Sequence, residues 1–358
     1  MKGENDMKGI RKITPYVPGE QPNYSDMIKL NTNENPYPPS PKVTEVLRNF
    51  DAEHLKRYSS IDNFSLKKAL GIKHGLSPEH FLIGNGSDEV LAFCFLAFFN
   101  SSDPILFPDI TYGFYKVWAD LFQIPFKELA LNSHFEIAVK NYNPPNGGII
   151  IANPNAPTGL FKPLVEIEHL LKENQEVIVI IDEAYIDFAG QSAIKLLDKY
   201  PNLIIIRTFS KSSSLAGLRV GYAIGNPKYI QIAESIKSSF NPYSVDMLAE
   251  NLAVAAVEDK KYYEEITKDI CATRDWFTKI IEQSGFRSLV SKTNFVLLTH
   301  PDLVIEELYH YLETHDIFVR YFPKIERLNN YLRVSMGTRE EMEKVYQLMT
   351  NYVLASKK

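Results

Sequence analysis

The sequence predicts an α/β protein: a large domain with a mostly parallel mixed sheet covered by helices on both faces, and a smaller α+β domain after it. Two observations carry that reading. Between residues 104 and 225 short runs are apolar at nearly every position (PILF, GIIIAN, VIVIID, LIIIRTF and LRVGYAIG), and helical patterns lie between several of them. Runs without polar alternation belong to strands buried on both faces, as in a sheet sandwiched between helical layers. After Pro242 a long helical stretch leads into the strands and helices of a smaller unit.

In chain order, residues 13–41 (ITPYVPGEQPNYSDMIKLNTNENPYPPSP) carry prolines too often for a helix and read as an extended arm, with one short strand near 27–30. The first helix is expected to start at Ser40, with Pro41 in the first helical position, and to run through VTEVLRNF. Helical patterns follow at 64–73, 86–99, 111–122 and 164–172 between the strand runs. The stretch 244–284 reads as helix, whole or broken. Strands at NFVLLTH (294–300), IFVRYF (317–322) and YLRVSM (331–336) and helices at 302–313 and 339–354 complete the smaller unit. The expected division is an arm over 1–41, a large domain over 42–243 and a small domain over 244–358.

Composition bounds the function. The chain's 358 residues, 45% of them hydrophobic, can bury a large core and suggest two domains. A net charge of −5 without a basic block gives no footprint for nucleic acid or an anionic membrane. The two cysteines, Cys94 and Cys271, lie far apart, which argues against disulfides and zinc and for a reducing compartment. MKGENDMKGIRK lacks the apolar core of a secretory signal, and the apolar stretch at 90–99 is too short to span a bilayer. A soluble, cytoplasmic protein with no metal is expected.

Ligands of open α/β sheets bind beyond the carboxyl ends of the strands. Those ends carry Asn153-Pro154-Asn155, Asp182-Glu183-Ala184-Tyr185 and Ser210-Lys211. The turn from Gly84 to Asp88 before a helix is either a phosphate cradle or an ordinary N-cap. Neither GxGxxG nor GxxxxGK[ST] occurs, so a dinucleotide or P-loop reading has no support. Asp182 closes an aliphatic run, where a carboxylate caps a helix, meets a surface loop or partners a buried cation. Taken singly, Tyr185 reads as packing and Lys211 as a loop charge. Together with Arg219 the set matches what pyridoxal phosphate requires: a Schiff-base lysine, a carboxylate for the ring nitrogen, donors for the phenolate oxygen and a phosphate cradle.

SKSSSLAGLRVGYAIG (210–225) resembles the lysine region of fold-type I pyridoxal-phosphate aminotransferases. ANPNAPTG (152–159), IDEAYIDF (181–188) and NGSDE (85–89) occur in that family's order. TPYVPGEQP (14–22) and LNTNENPYPPSP (30–41) are similar to the arm of the histidinol-phosphate aminotransferase branch. RYSSIDNFSLKKAL (57–70), VRYF (319–322) and YLRVSMGT (331–338) continue the likeness. The resemblance implies that Lys211 carries the cofactor, Asp182 pairs with its ring nitrogen, Asn155 and Tyr185 contact its phenolate oxygen and Tyr112 stacks on the ring. Gly86, Ser87, Asp88, Ser210 and Arg219 would hold the phosphate, joined by Tyr58 from the neighbour in a homodimer that the arm also contacts. Arg333 would bind the substrate carboxylate or its equivalent, with Tyr16, Asn33 and Arg320 on the substrate side. Where the family usually shows a second asparagine stands Ala156, where it shows Pro-Asp stand Ser59-Ser60, Pro38 replaces a glycine, and Ser212-Ser213 replace a more apolar pair.

The activity implied is transamination between L-histidinol phosphate and 2-oxoglutarate, in histidine biosynthesis. A threonine-phosphate decarboxylase or an aromatic-amino-acid aminotransferase of the same fold is the alternative. A non-catalytic pyridoxal-phosphate-binding regulator is disfavoured by the absence of any segment left over for DNA binding.

Overall fold

The computed structural model describes residues 9–16 and 21–356. Residues 1–8 of the stretch read as lacking a signal, residues 17–20 of the arm motif, and residues 357–358 lie outside the described residues.

The arm enters through β1 (Ile28–Lys29) and reaches α1 (Pro41–Arg48), where Ser40 caps the helix by accepting from the Val43 N–H at 3.4 Å. The helix stops at Arg48, short of the expected Asn49-Phe50. After α2 (Phe64–His74) comes a seven-stranded sheet built from β2 (Phe81–Asn85), β3 (Ile105–Pro108), β4 (Phe126–Leu129), β5 (Gly148–Ala152), β6 (Val179–Asp182), β7 (Leu203–Thr208) and β8 (Val220–Gly225). Its spatial order is β2-β8-β7-β6-β5-β3-β4. Only β8 runs against its neighbours, so the sheet is mixed but mostly parallel.

Both faces of the sheet are covered, and the strand residues divide between them by parity. Ile149, Ile151, Ile181, Leu203 and Ile205 face a core shared with α1, α2, α5 (Leu164–Glu173) and α7 (Met247–Glu258). Ile150, Ile180, Ile204 and Ile206 face the opposite core, under α3 (Gly86–Phe98), α4 (Phe114–Phe122) and α6 (Pro227–Phe240). That double burial is why the runs are apolar throughout. The edge strand β4 carries the exposed Lys127 and Glu128, and so lacks the pattern that marks the interior strands. Helix α6 was not expected, although Asn226 caps it at 3.0 Å and Pro227 opens it.

The stretch 244–284 is broken at Asp259 into α7 and α8 (Lys260–Glu282). Tyr263 and Ile266 of α8 still belong to the larger core, whereas Ile270, Phe277 and Ile281 enter a second one, so the change of core falls along this helix. The second core contains β10 (Phe295–Thr299), α9 (Ile305–Glu313), β13 (Leu332–Ser335) and α10 (Arg339–Ser356). An antiparallel sheet runs in the order β12 (Arg320–Tyr321), β13, β10 and β9 (Arg287–Ser288). IFVRYF is not one strand: β11 (Ile317–Phe318) pairs with β1, and β12 (Arg320–Tyr321) pairs with β13. The split at Val319 lets one run dock the arm and also complete the small sheet.

Candidate active site

A cavity of about 340 Å³ opens at the carboxyl ends of β5, β6 and β7. Antiparallel β8 begins at this same edge, with Val220 opposite Asn85 and Gly221 opposite Thr208. Arg219, immediately before β8, is thereby delivered beside the first turn of α3. Topology thus gathers Ser87, Asp88, Tyr112, Asp182, Tyr185, Ser210, Lys211 and Arg219 around one space.

Lys211 follows β7 and sits half-buried in the cavity wall, its Nζ donating to the Thr32 carbonyl at 3.1 Å. Burial disfavours its charge, and Arg333 adds repulsion, bringing the amine down to about 8. Asp182 ends β6 with 5% of its surface exposed. Burial raises its carboxyl to about 6, against hydrogen bonds from the Tyr115 hydroxyl at 2.8 Å and the Ala184 N–H at 3.1 Å. Among the described residues no cation is paired with it. One wall therefore offers an amine able to act as a base near neutrality, another a carboxylate suited to a cationic nitrogen.

The far end of the cavity suits an anion. Asn85 makes no capping hydrogen bond at the start of α3, so the first-turn N–H groups have no partner from within the helix. Gly86 has φ +80°, and a Cβ there would lie 2.5 Å from an Arg219 nitrogen, a closeness only glycine permits. Arg219 bonds Ser210 Oγ at 3.3 Å and Asp88 Oδ2 at 3.1 Å, and Tyr112 donates to the other Asp88 oxygen at 2.6 Å. The Asp88 carboxylate is thereby engaged by Arg219 and Tyr112.

The opposite side is built by the arm and the small sheet. Buried Asn33 donates to the Tyr185 hydroxyl at 2.8 Å and is itself held by Ser335 and Asn294. Arg333 donates to the Asn31 carbonyl at 2.8 Å, lies over Phe295 at 5.2 Å, and is near enough to Tyr185 and Lys211 to shift both. Arg320 stands directly across the strand pair from Arg333. Tyr16 stacks on Phe114 at 4.3 Å and influences Tyr112, Tyr185 and Arg333.

Asn155, expected at the phenolate oxygen, is not in the cavity lining, and Tyr58, expected to serve a neighbouring subunit, stands at the surface. Both amide hydrogens of Asn155 are engaged, by the Ile110 carbonyl at 3.0 Å and Thr158 Oγ1 at 3.1 Å, and Ala152 and Ala156 supply the lining there. Tyr58 is 81% exposed and stacks on Tyr243 at 4.6 Å. Sequence reasoning missed Thr32 and Glu34 of the arm and Thr208 in the lining, and Tyr115 behind Asp182.

Residues 25–348 match the family described as aminotransferase class I and II. The chain belongs to that family. It is 45% identical over 344 residues to the histidinol-phosphate aminotransferase of Lactococcus lactis subsp. cremoris and 46% identical over 347 residues to that of Acinetobacter baylyi, covering 96% of each chain in both cases. The structure of histidinol-phosphate aminotransferase from Sinorhizobium meliloti in complex with pyridoxal-5'-phosphate is similar too, with TM-score 0.82 and 25% identity over 92% of this chain and 91% of that one. The chain is accordingly a pyridoxal-phosphate-dependent transaminase. Its cavity fits the cofactor: an amine brought down toward neutrality, a buried carboxylate without a cation, and an uncapped helix start beside an arginine are the three groups the cofactor's aldehyde, ring nitrogen and phosphate require.

Proposed function

We propose that the enzyme moves an amino group between L-histidinol phosphate and 2-oxoglutarate, as a step of histidine biosynthesis. The observation that carries this reading is Arg333 on β13, close to Tyr185 and Lys211, with Arg320 in register opposite it on β12. Two like charges across one strand pair are unfavourable by themselves and favour an anion between or beside them. A phosphorylated amino alcohol and a dicarboxylate each carry an anionic group away from the reacting carbon. Guanidinium forks suit phosphate and carboxylate alike, so one pocket can serve both half-reactions. The names of the relatives support the same donor.

The bound cofactor supplies the carbonyl that takes up the amino group and a ring that accepts the electron pair left at the substrate carbon. The protein's part follows from its own geometry. Lys211 Nζ, with its proton affinity lowered, would take the proton from the substrate carbon and deliver it to the cofactor carbon that had been the carbonyl. Asp182, whose carboxyl burial raises to about 6 without a cationic partner, would pair with a positive ring nitrogen that in turn favours its ionised form. Tyr185, oriented by Asn33, offers its hydroxyl to the phenolate oxygen. The N–H groups at Ser87 and Asp88, with Ser210 and Arg219, hold the phosphate. Arg333 and Arg320 orient the anionic ends of the substrate, and Tyr16 covers that side.

The reading includes a homodimer in which Tyr58 reaches the partner's cofactor. It is supported by the exposed apolar side chains of Leu55, Tyr58, Ile61, Phe64 and Phe240. A cytoplasmic location completes it; among the described residues no helix is long and apolar enough to cross a membrane.

A half-reaction screen tests the substrate. Histidinol phosphate, threonine phosphate, phenylalanine and glutamate are each mixed with holoenzyme while the cofactor's visible absorbance and carbon dioxide are followed. Histidinol phosphate and glutamate should bleach the band without gas. Carbon dioxide from threonine phosphate would make the enzyme a decarboxylase, and a preference for phenylalanine an aromatic aminotransferase.

A further inference from the structure

Asp182 and Lys211 face the cavity, but the residues next to each in the chain turn the other way. Glu183 is fully buried, accepting from Ser192 Oγ at 2.7 Å and the Ala193 N–H at 2.6 Å. Arg207, also buried, stands with Nε 3.0 Å from Glu183 and donates from NH1 to Asp187 Oδ1 at 3.0 Å. The other Asp187 oxygen accepts from Ser212 Oγ. An unbroken series of polar contacts, Glu183–Arg207–Asp187–Ser212, thus joins the residue after Asp182 to the residue after Lys211. On the cavity side Asn35 donates to the Lys211 carbonyl at 3.0 Å and the Ser212 carbonyl at 3.3 Å.

We propose that Ser212, through Asp187 and Arg207, is a positioning residue that fixes the Lys211 loop at a set distance from Asp182. Asn35 and Arg219 hold the loop from the cavity side, and Ser212 is its side-chain tie on the opposite side. Inside it, Ser214 donates to the Lys211 carbonyl at a long 3.3 Å and Leu215 to the Phe209 carbonyl at 3.0 Å. Behind it lies a second cavity of about 450 Å³, lined by Asp187, Arg207, Ser212 and Ser213. Phe209 and Leu215 anchor the two ends of the loop in the larger core, and at Ser212 itself a charge-assisted hydrogen bond bridges to the cavity wall. The tie is durable at neutral pH. Asp187 lines the open second cavity with 42% of its side chain exposed, and Arg207, Lys73 and Ser212 keep its carboxyl below the ordinary range. Ser213 makes no side-chain hydrogen bond among the described residues and serves as the control.

The inference rests on Lys211 as the proton carrier, but not on the identity of the donor. The test combines hydrogen–deuterium exchange of holoenzyme with steady-state kinetics in Ser212→Ala, Ser212→Thr, Ser213→Ala and Asp187→Asn. Ser212→Ala should speed exchange at residues 210–215 about tenfold, the scale of one charge-assisted hydrogen bond. It should lower kcat about threefold to tenfold and leave KM for glutamate within about twofold, because the arginines are untouched. Asp187→Asn should act in the same direction, Ser212→Thr should restore both readouts, and Ser213→Ala should change neither. The proposal fails if Ser212→Ala keeps wild-type exchange over 210–215, even with a lower thermal midpoint, since Ser212 would then be merely structural. It fails equally if Ser213→Ala matches Ser212→Ala. Should Asp187→Asn not fold, the serine variants alone decide. Failure of the Lys211 reading looks different, since Lys211→Ala would then remain active.

Discussion

Replacing Asp182 with Asn should change how the stability of the cofactor-free protein depends on pH. Burial at the end of β6 raises this carboxyl from its ordinary 3.8 to about 6. Between those values the folded protein binds more protons than the unfolded chain, so stability falls as pH rises through the window. Once both states are ionised the loss is the full shift, roughly 3 kcal/mol at 1.36 kcal/mol per unit. Asparagine has no such proton, and any difference in its packing is the same at every pH. Denaturant unfolding of cofactor-free wild type and Asp182→Asn between about pH 4 and pH 8 isolates the effect. The variant should gain roughly 2–3 kcal/mol relative to wild type across that range while losing transaminase turnover. Parallel stability curves would refute the claim that this buried carboxylate is held ionised against the fold's own preference.

Three further outcomes follow from the same geometry. Tyr115→Phe removes a hydrogen bond that opposes the raised carboxyl, so in cofactor-free protein the pH window over which stability falls should extend upward from about 6 by about one unit; an unmoved window would deny that Tyr115 acts on Asp182. Arg320→Ala should raise KM about tenfold or more for both the phosphorylated donor and glutamate, and less for phenylalanine; unchanged constants for the first two would remove the shared-anion reading. In cofactor-free protein, an amine-directed reagent should label Lys211 with a midpoint near pH 8, because burial and Arg333 disfavour its charge. A midpoint near the ordinary lysine value of 10.5 would contradict the environment described for it.

The central sheet was legible because its strands are buried on both faces, which leaves runs such as Ile149–Ile151 and Leu203–Ile206 with no polar position. The same logic hid β4, whose Lys127 and Glu128 face solvent at the edge. Lys211, Asp182 and Arg219 could be read as a set because each lies at a strand end. That Arg219 belongs at the same edge as the others depends on β8 running antiparallel, which no local pattern announces. Tyr115 escaped notice because a tyrosine on an apolar helix face reads as core, and only the fold brings its hydroxyl to Asp182. Thr32 takes part through its backbone carbonyl, which residue type does not encode. Asn155 matched the family motif, yet its amide is held by Ile110 and Thr158, contacts set by tertiary packing.

The most direct test of the account is chemical. Holoenzyme reduced with borohydride and digested should yield the cofactor mass on one peptide, with the modification at Lys211, and Lys211→Ala should carry none. Modification of another lysine, or a visible cofactor band that survives in Lys211→Ala, would contradict the assignment of this cavity as the catalytic site.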